Sequence, residues 1–290
     1  MKRSVFYIVF IGFIGCSCNK SAYIPIDVLD ITIDNNQKGD SNDNQPLLKQ
    51  IKVLTYNIHF CNPPSKPGTY DIEGIANVIT RINPDFVLLQ EVDKNTGVND
   101  CFLDQSEELR KLTKMHKQFF SERVRFKGFF GVTILSKYPL KNPNTYPLVK
   151  LDPTYAQRAL GTIIVDLPGV DSILLSTTHL EVFSPENRYE QLKEILNILP
   201  LTGTTPVIIG GDFNTRPTDT KFFGLFEEYF TRTCPGTDSP STYDNPSQVI
   251  AIDHIGFYPK NTFIVKSYEV LSNEKASDHF PVVSVLEFNR

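Results

Sequence analysis

The sequence predicts an α/β fold, and three observations carry that prediction. Short runs rich in Val, Ile and Leu recur along the chain, of the length and composition of buried strands. Polar residues stand repeatedly where these runs exit, at Asn57 in "VLTYNIHF", Glu91 in "PDFVLLQEVD", His179 in "ILLSTTHLEV" and Asp212 and Asn214 in "PVIIGGDFNTRP". The same pattern is read at Asp253 in "IAIDHIGF" and at Asp278–His279 in "SDHFP". About 240 residues follow Ile51, a length that one α/β domain accommodates. Such a placement assembles one site at the edge of a sheet, from carboxylates, amides and imidazoles.

Local rules add detail to each element. Strand residues i and i+2 share a side, so Asn57 is expected to share a face with His59, and Asp212 with Asn214. Gly210 and Gly211 are expected to clear side chains where backbone and substrate approach. The stretch around Leu109, Leu112 and Phe119 reads as an amphipathic helix, with Arg110, Lys111, Lys114 and Lys117 on its solvated face. Arg188 and Gln191 in "ENRYEQLKEI" stand three apart on a second helix and are assigned to packing. Tyr138 and Pro139 mark a strand exit and are assigned to a turn.

The N-terminus reads as an export signal. Lys2–Arg3 precede an apolar stretch from Val5 to Ile14, followed by Gly15–Cys16. That stretch is shorter than the roughly 20 residues a membrane span needs. "FIGC" is similar to a bacterial lipoprotein signal, which implies acylation of Cys16 and attachment to a membrane on the periplasmic or outer side of a bacterial envelope. Residues 1–15 are thus expected to be a signal peptide, 16–49 a polar tether and 50–290 the catalytic domain. Within the tether, "DVLDITID" alternates enough to form one edge strand.

Net charge is −4, and loss of Lys2 and Arg3 with the leader leaves 27 basic against 33 acidic residues. Duplex-binding proteins carry a basic footprint, so nucleic acid is not the favoured partner. No cysteine pair has zinc-ligand spacing. Cys61 and Cys101 each follow an active-site strand and could pair in an oxidising compartment. A monomer is expected.

Magnesium takes oxygen ligands and keeps several waters, so one or two carboxylates suffice. Glu91, a charge directly after "FVLLQ", is the first expected ligand, because such a charge is costly unless paired or metal-bound. Asp278, from the far end of the chain, is the second.

Taken together and in this order, "TYNIH", "LQE", "GDFN" and "SDHFP" resemble the endonuclease/exonuclease/phosphatase superfamily with its deoxyribonuclease-I-like fold. The resemblance spans roughly residues 50–290, and "FGVTILSKYP" and "HLEVFSPENRYEQ" look most like its small bacterial metal-dependent hydrolases. It implies a four-layer sandwich of two mixed β-sheets with helices on the outer faces, and a Mg2+- or Mn2+-dependent phosphoesterase. It implies that Asn57 assists at the metal or phosphate, that Asp212 activates water and that Asn214 fixes that geometry. It implies His279 facing a phosphate oxygen with Asp253 behind it, His179 at the phosphate or leaving group, and Arg158 on the phosphate. The inositol-phosphatase signature is missing at "VIAIDHIGF", and abasic-site endonucleases are more basic. A phospholipid or nucleotide diester, a secreted non-specific endonuclease and a non-catalytic envelope lipoprotein all stay open.

Overall fold

A computed structural model describes residues 45–98, 102–169, 172–234 and 236–290. The leader, most of the tether, the "DVLDITID" strand and Cys101 lie outside these residues. In chain order the elements are β1 (Gln50–Asn57), α1 (Ile72–Ile82), β2 (Phe86–Lys94), α2 (Gln105–Thr113), β3 (His116–Arg125), β4 (Gly128–Ser136), β5 (Leu140–Pro147) and β6 (Ala159–Asp166). There follow β7 (Ser172–His179), α3 (Pro185–Ile198), β8 (Val207–Asp212), α4 (Thr220–Tyr229), β9 (Thr231–Arg232), β10 (Asp253–Tyr258), β11 (Phe263–Val270) and β12 (Val282–Phe288). No helix among the described residues is long and apolar enough to cross a membrane.

The strands form two six-stranded sheets. Sheet one runs β11-β12-β1-β2-β4-β3 and sheet two runs β5-β6-β7-β8-β10-β9. Each is mixed, with one parallel pair at its centre: β1 beside β2, and β7 beside β8. Parallel neighbours need a crossover, and α1 and α3 supply it. Three apolar layers make a four-layer sandwich. The middle one joins the sheets through residues such as Phe86, Leu88, Ile134, Leu175 and Ile208. The second seats α1 and α2 on sheet one through Ile75, Ile79 and Leu109, and the third seats α3 and α4 on sheet two through Leu192, Phe222 and Phe226. Helix starts are fixed by side-chain caps, with Asp71, Asp104, Ser184 and Asp219 each accepting a backbone N–H.

Several expectations are corrected. The helix around Leu109 ends at Thr113, and Phe119 belongs to β3. Leu112 is exposed rather than inward. The glycine pair is required by packing. A Cβ on Gly210 would meet Leu88 of the facing sheet, and one on Gly211 would meet the Thr178 carbonyl of the neighbouring strand. Leu48, at the end of the expected tether, packs against the middle layer, and Phe288 donates its N–H to Lys49.

Candidate active site

Strand direction decides which polar residues meet. β1, β7 and β8 run toward one edge of the sandwich and end there, at Asn57, His179 and Asp212. Asp253 does not follow a strand, as the sequence pattern suggested, but opens β10. Since β10 pairs antiparallel to β8 with Asp253 opposite Asp212, it reaches the same edge. Asp278 and His279 likewise precede β12, which is antiparallel to β1. The site is thus built from strand exits and from the entries of their antiparallel neighbours.

Glu91 reaches the edge by a third route. It sits inside β2, where the pairing with β4 shifts between Leu89 and Val92, and its φ is 57°. A bulge re-aims side chains, and left-handed backbone is uncommon for glutamate, so a local irregularity places this carboxylate. Asn57 and Asp212 end their strands in the same way. Asn57 Oδ1 accepts from the His59 N–H at 3.0 Å, and Asp212 Oδ1 from the Asn214 N–H at 2.9 Å. These turns replace the strand alternation expected for the two pairs, since His59 and Asn214 both have positive φ.

Side chains from both sheets converge on Asp212. The Asn57 amide donates to Glu91 at 3.2 Å and to Asp212 Oδ2 at 3.1 Å. The Nε2 atoms of His179 and His279 lie 3.5 and 3.6 Å from the same oxygen. Those distances stop short of good hydrogen bonds, which leaves both imidazoles able to turn to an oxyanion. His279 Nδ1 contacts Asp253 Oδ2 at 2.9 Å, and that oxygen also accepts from Thr242 Oγ1 at 2.6 Å. The Ser277 hydroxyl donates to the Asn57 carbonyl at 2.8 Å, with Asp278 Oδ1 3.3 Å away, tying the end of the chain to β1. Asp278 lies 3.7 Å from His59 Nδ1. Glu91 and Asp278 both act electrostatically on the phenol of Tyr243, whose ring packs against His279.

Burial sets the charges. Burial first, and then the negative charge of Asp253, push the Asp212 carboxyl up to about 7, against the pull of His279 and of hydrogen bonds from Asn214 and Asn57. Burial alone would lower His279, but the carboxylates of Asp253 and Asp212 override it and raise the imidazole to about 10. His179 goes the other way, well below its ordinary value, through burial and then the positive charges of Arg158, His279 and Arg123. One histidine is held as a cation and the other neutral.

Arg158 is a buried residue, not a surface one, and pairs with the buried Glu122 at 3.4 Å. Arg188 donates to the carbonyls of Glu181 and Val182, and Gln191 accepts from the Glu181 N–H, so both pack the loop after His179. Tyr138 shapes its turn through Ser136 and Asp85. His254 Nε2 contacts the Thr215 carbonyl at 3.0 Å between the rings of Phe213 and Phe223, on the helix-covered face of sheet two. Cys61 is a buried free thiol.

Sequence reasoning passed over Thr242, Tyr243 and Glu122. The first two lie in a loop without periodicity. Glu122 had a signal, because strand alternation from the core residue Phe120 places it inward.

A divalent cation fits the donors present. No Lys, Arg or His among the described residues forms an ion pair with Glu91, which faces the cleft half-buried. Asp212, Asp253 and His279 also each offer a ligand atom within 4.8 Å of one another.

The sequence matches the Endonuclease/Exonuclease/phosphatase family over residues 54–279. The chain belongs to that family. Its fold is similar to that of an endonuclease/exonuclease/phosphatase from Beutenbergia cavernae, at 24% identity and a TM-score of 0.70, covering 83% of this chain and 72% of the other. It is similar to a mannosyl-6-phosphatase from Bacteroides thetaiotaomicron at 19% identity and a TM-score of 0.66, covering 82% and 100%. It is also similar to the human Nocturnin catalytic domain with bound sulfate, at 19% identity and a TM-score of 0.62, covering 84% and 96%. No curated protein matches the sequence. Members of the family are phosphoester hydrolases, and this chain is an enzyme of that class.

Proposed function

We propose that this protein is a divalent-metal-dependent phosphodiesterase working by in-line attack of water. The observation that carries the reading is the setting of Asp212, one buried carboxylate met by an amide and two imidazoles of opposite charge state. Mg2+ or Mn2+ would be held by Glu91 and Asp278, with the Asn57 side-chain oxygen nearby. The cation would supply charge neutralisation at the phosphate. The alternative trio of Asp212, Asp253 and His279 suits a cation less. Both ring nitrogens of His279 already face carboxylates, and those carboxylates hold its proton.

The chain's own groups then divide the work. Asp212, raised to about 7, is poised to take a proton from water near neutral pH. Asn214 fixes the Asp212 carboxylate through its backbone N–H. His279, kept cationic by Asp253, offers Nε2–H to a phosphate oxygen. Neutral His179 offers a hydrogen bond at the phosphate or leaving oxygen, and Arg158 lies close enough to lower its basicity. The N-terminal reading adds a place of action: attachment through Cys16 on the periplasmic or outer side of a bacterial envelope.

With bis(p-nitrophenyl) phosphate and Mg2+, Glu91→Gln and Asp212→Asn are each expected to lower kcat about a thousandfold or more with thermal midpoints near wild type. Rates within tenfold of wild type in both folded variants would defeat the mechanism.

A further inference from the structure

The edge that carries the site also carries a group of exposed apolar side chains. On one side of the cleft stands the β3–β4 hairpin, where Val124 is 69% exposed, Phe126 75% and Phe129 41%. On the other side the loop after His179 presents Val182 and Phe183, the latter 83% exposed. The hairpin is two-faced. Val124 and Phe129 are opposite one another across the strands and so share one face. On the other face Arg123 lies 4.1 Å over the Phe130 ring and pairs with Glu122, and Arg125 lies 4.5 Å over Phe60 and pairs with Asp93. Lys127, at the tip, makes no ion pair among the described residues, and its Nζ stands 5.3 Å over Phe102.

The tip is rigid and strained. Register pairs Arg125 with Gly128, leaving Phe126 and Lys127 as a two-residue turn, and Phe126 has φ 51°. That region favours glycine or asparagine, and a bulky aromatic there is an outlier. The Lys127 N–H bonds the Thr96 carbonyl, and a Cβ on Gly128 would strike the backbone at Lys94, so the hairpin is clamped to the end of β2. A strained, solvated phenylalanine contributes little to folding.

We propose that this rim docks the active site onto a bilayer containing anionic phospholipid. Apolar side chains around a lysine, Lys127, that forms no ion pair among the described residues are the composition of an interfacial membrane contact. Apolar lips on both sides of one cleft suit a broad surface better than a small ligand. Nucleic acid fits less well, because the hairpin's outward face is hydrocarbon. The acyl anchor expected at Cys16 would bring a bilayer within reach. The inference rests on the hydrolase reading only in saying what the docked cleft would act upon.

The chain has no tryptophan, so a single Trp reports its own surroundings. Phe126→Trp, Phe183→Trp and Tyr229→Trp, the last an exposed position at the end of α4, are made in the full chain. Each is mixed with phosphatidylglycerol–phosphatidylcholine vesicles carrying brominated acyl chains. Emission at 126 and 183 is expected to shift to the blue and be quenched, with 229 unchanged. Silence at 126 and 183, an equal response at all three, or quenching only by an oligonucleotide would overturn the proposal. Phe126→Gly should raise the thermal midpoint by relieving the turn while vesicle affinity falls about tenfold. A fall in both would mark the ring as structural and count against docking. Hydrolysis of bis(p-nitrophenyl) phosphate by the same variants reads the catalytic proposal separately.

Discussion

The two sheets bring the same skeleton to the site and arm it differently. Each ends a central strand in a side-chain turn, at Asn57 in sheet one and Asp212 in sheet two. Around Asn57 gather Glu91 and Asp278, oxygen donors that are part-exposed and open to the cleft. Around Asp212 gather His179 and Asp253, buried to within a few per cent of exposure. Solvent access favours a hydrated cation on the first side, because Mg2+ keeps waters. Exclusion of solvent on the second makes protonation states depend on neighbours. His279 links the two, entering from sheet one and bonding to Asp253 of sheet two.

That division of labour breaks if the cation sits on the sealed side. Calorimetric titration with Mg2+ decides it. Glu91→Gln is expected to weaken binding about a thousandfold, or about 4 kcal/mol, whereas Asp253→Asn leaves affinity within a few-fold. The reverse pattern would move the cation into the Asp212–Asp253–His279 trio.

Acid should strike sheet two before sheet one. Burial pushes His254 down to about 4, against the raising effect of the Thr215 carbonyl. A depressed imidazole stays neutral in the folded chain while the unfolded chain takes up a proton. Its contribution is complete above the ordinary histidine value near 6.5 and disappears as pH falls through about 4. The size is on the order of 3 kcal/mol. Urea midpoints measured from pH 7.5 to 4.5 should fall steeply in wild type and less steeply in His254→Gln. Parallel curves would show that His254 is not what acid protonates.

Most of the site was legible because its residues break apolar runs, and a polar group at the end of a buried strand has few other reasons to be there. Asn57, His179 and Asp212 were placed by that logic, and the fold confirmed where those strands end. Asp253 and Asp278–His279 came to the same edge for a different reason, strand antiparallelism, which no local pattern encodes. The bulge at Glu91 was hidden because it depends on β4, some 40 residues further on. Glu122 was masked by its place in a charge-rich stretch, beside Arg123 and Arg125. Thr242 supports Asp253 from a loop, where sequence offers no period to read.

The finest test concerns the bridge between the sheets. His279 is raised to about 10 although burial opposes it, so the carboxylates around it must outweigh desolvation, Asp253 foremost. A raised imidazole carries its proton, and the stability that goes with it, until pH climbs through about 10. In Asp253→Asn the hydrogen bond can survive while the charge is gone. The His279 imidazole, followed by NMR, is then expected to titrate about two pH units lower. The rate should follow it, declining as pH rises through about 8 in the variant, over a range where wild-type His279 still keeps its proton. If His279 titrates unchanged in Asp253→Asn, the proton is held by Asp212, the next carboxylate acting on the imidazole, and Asp253 is not the residue that keeps His279 charged.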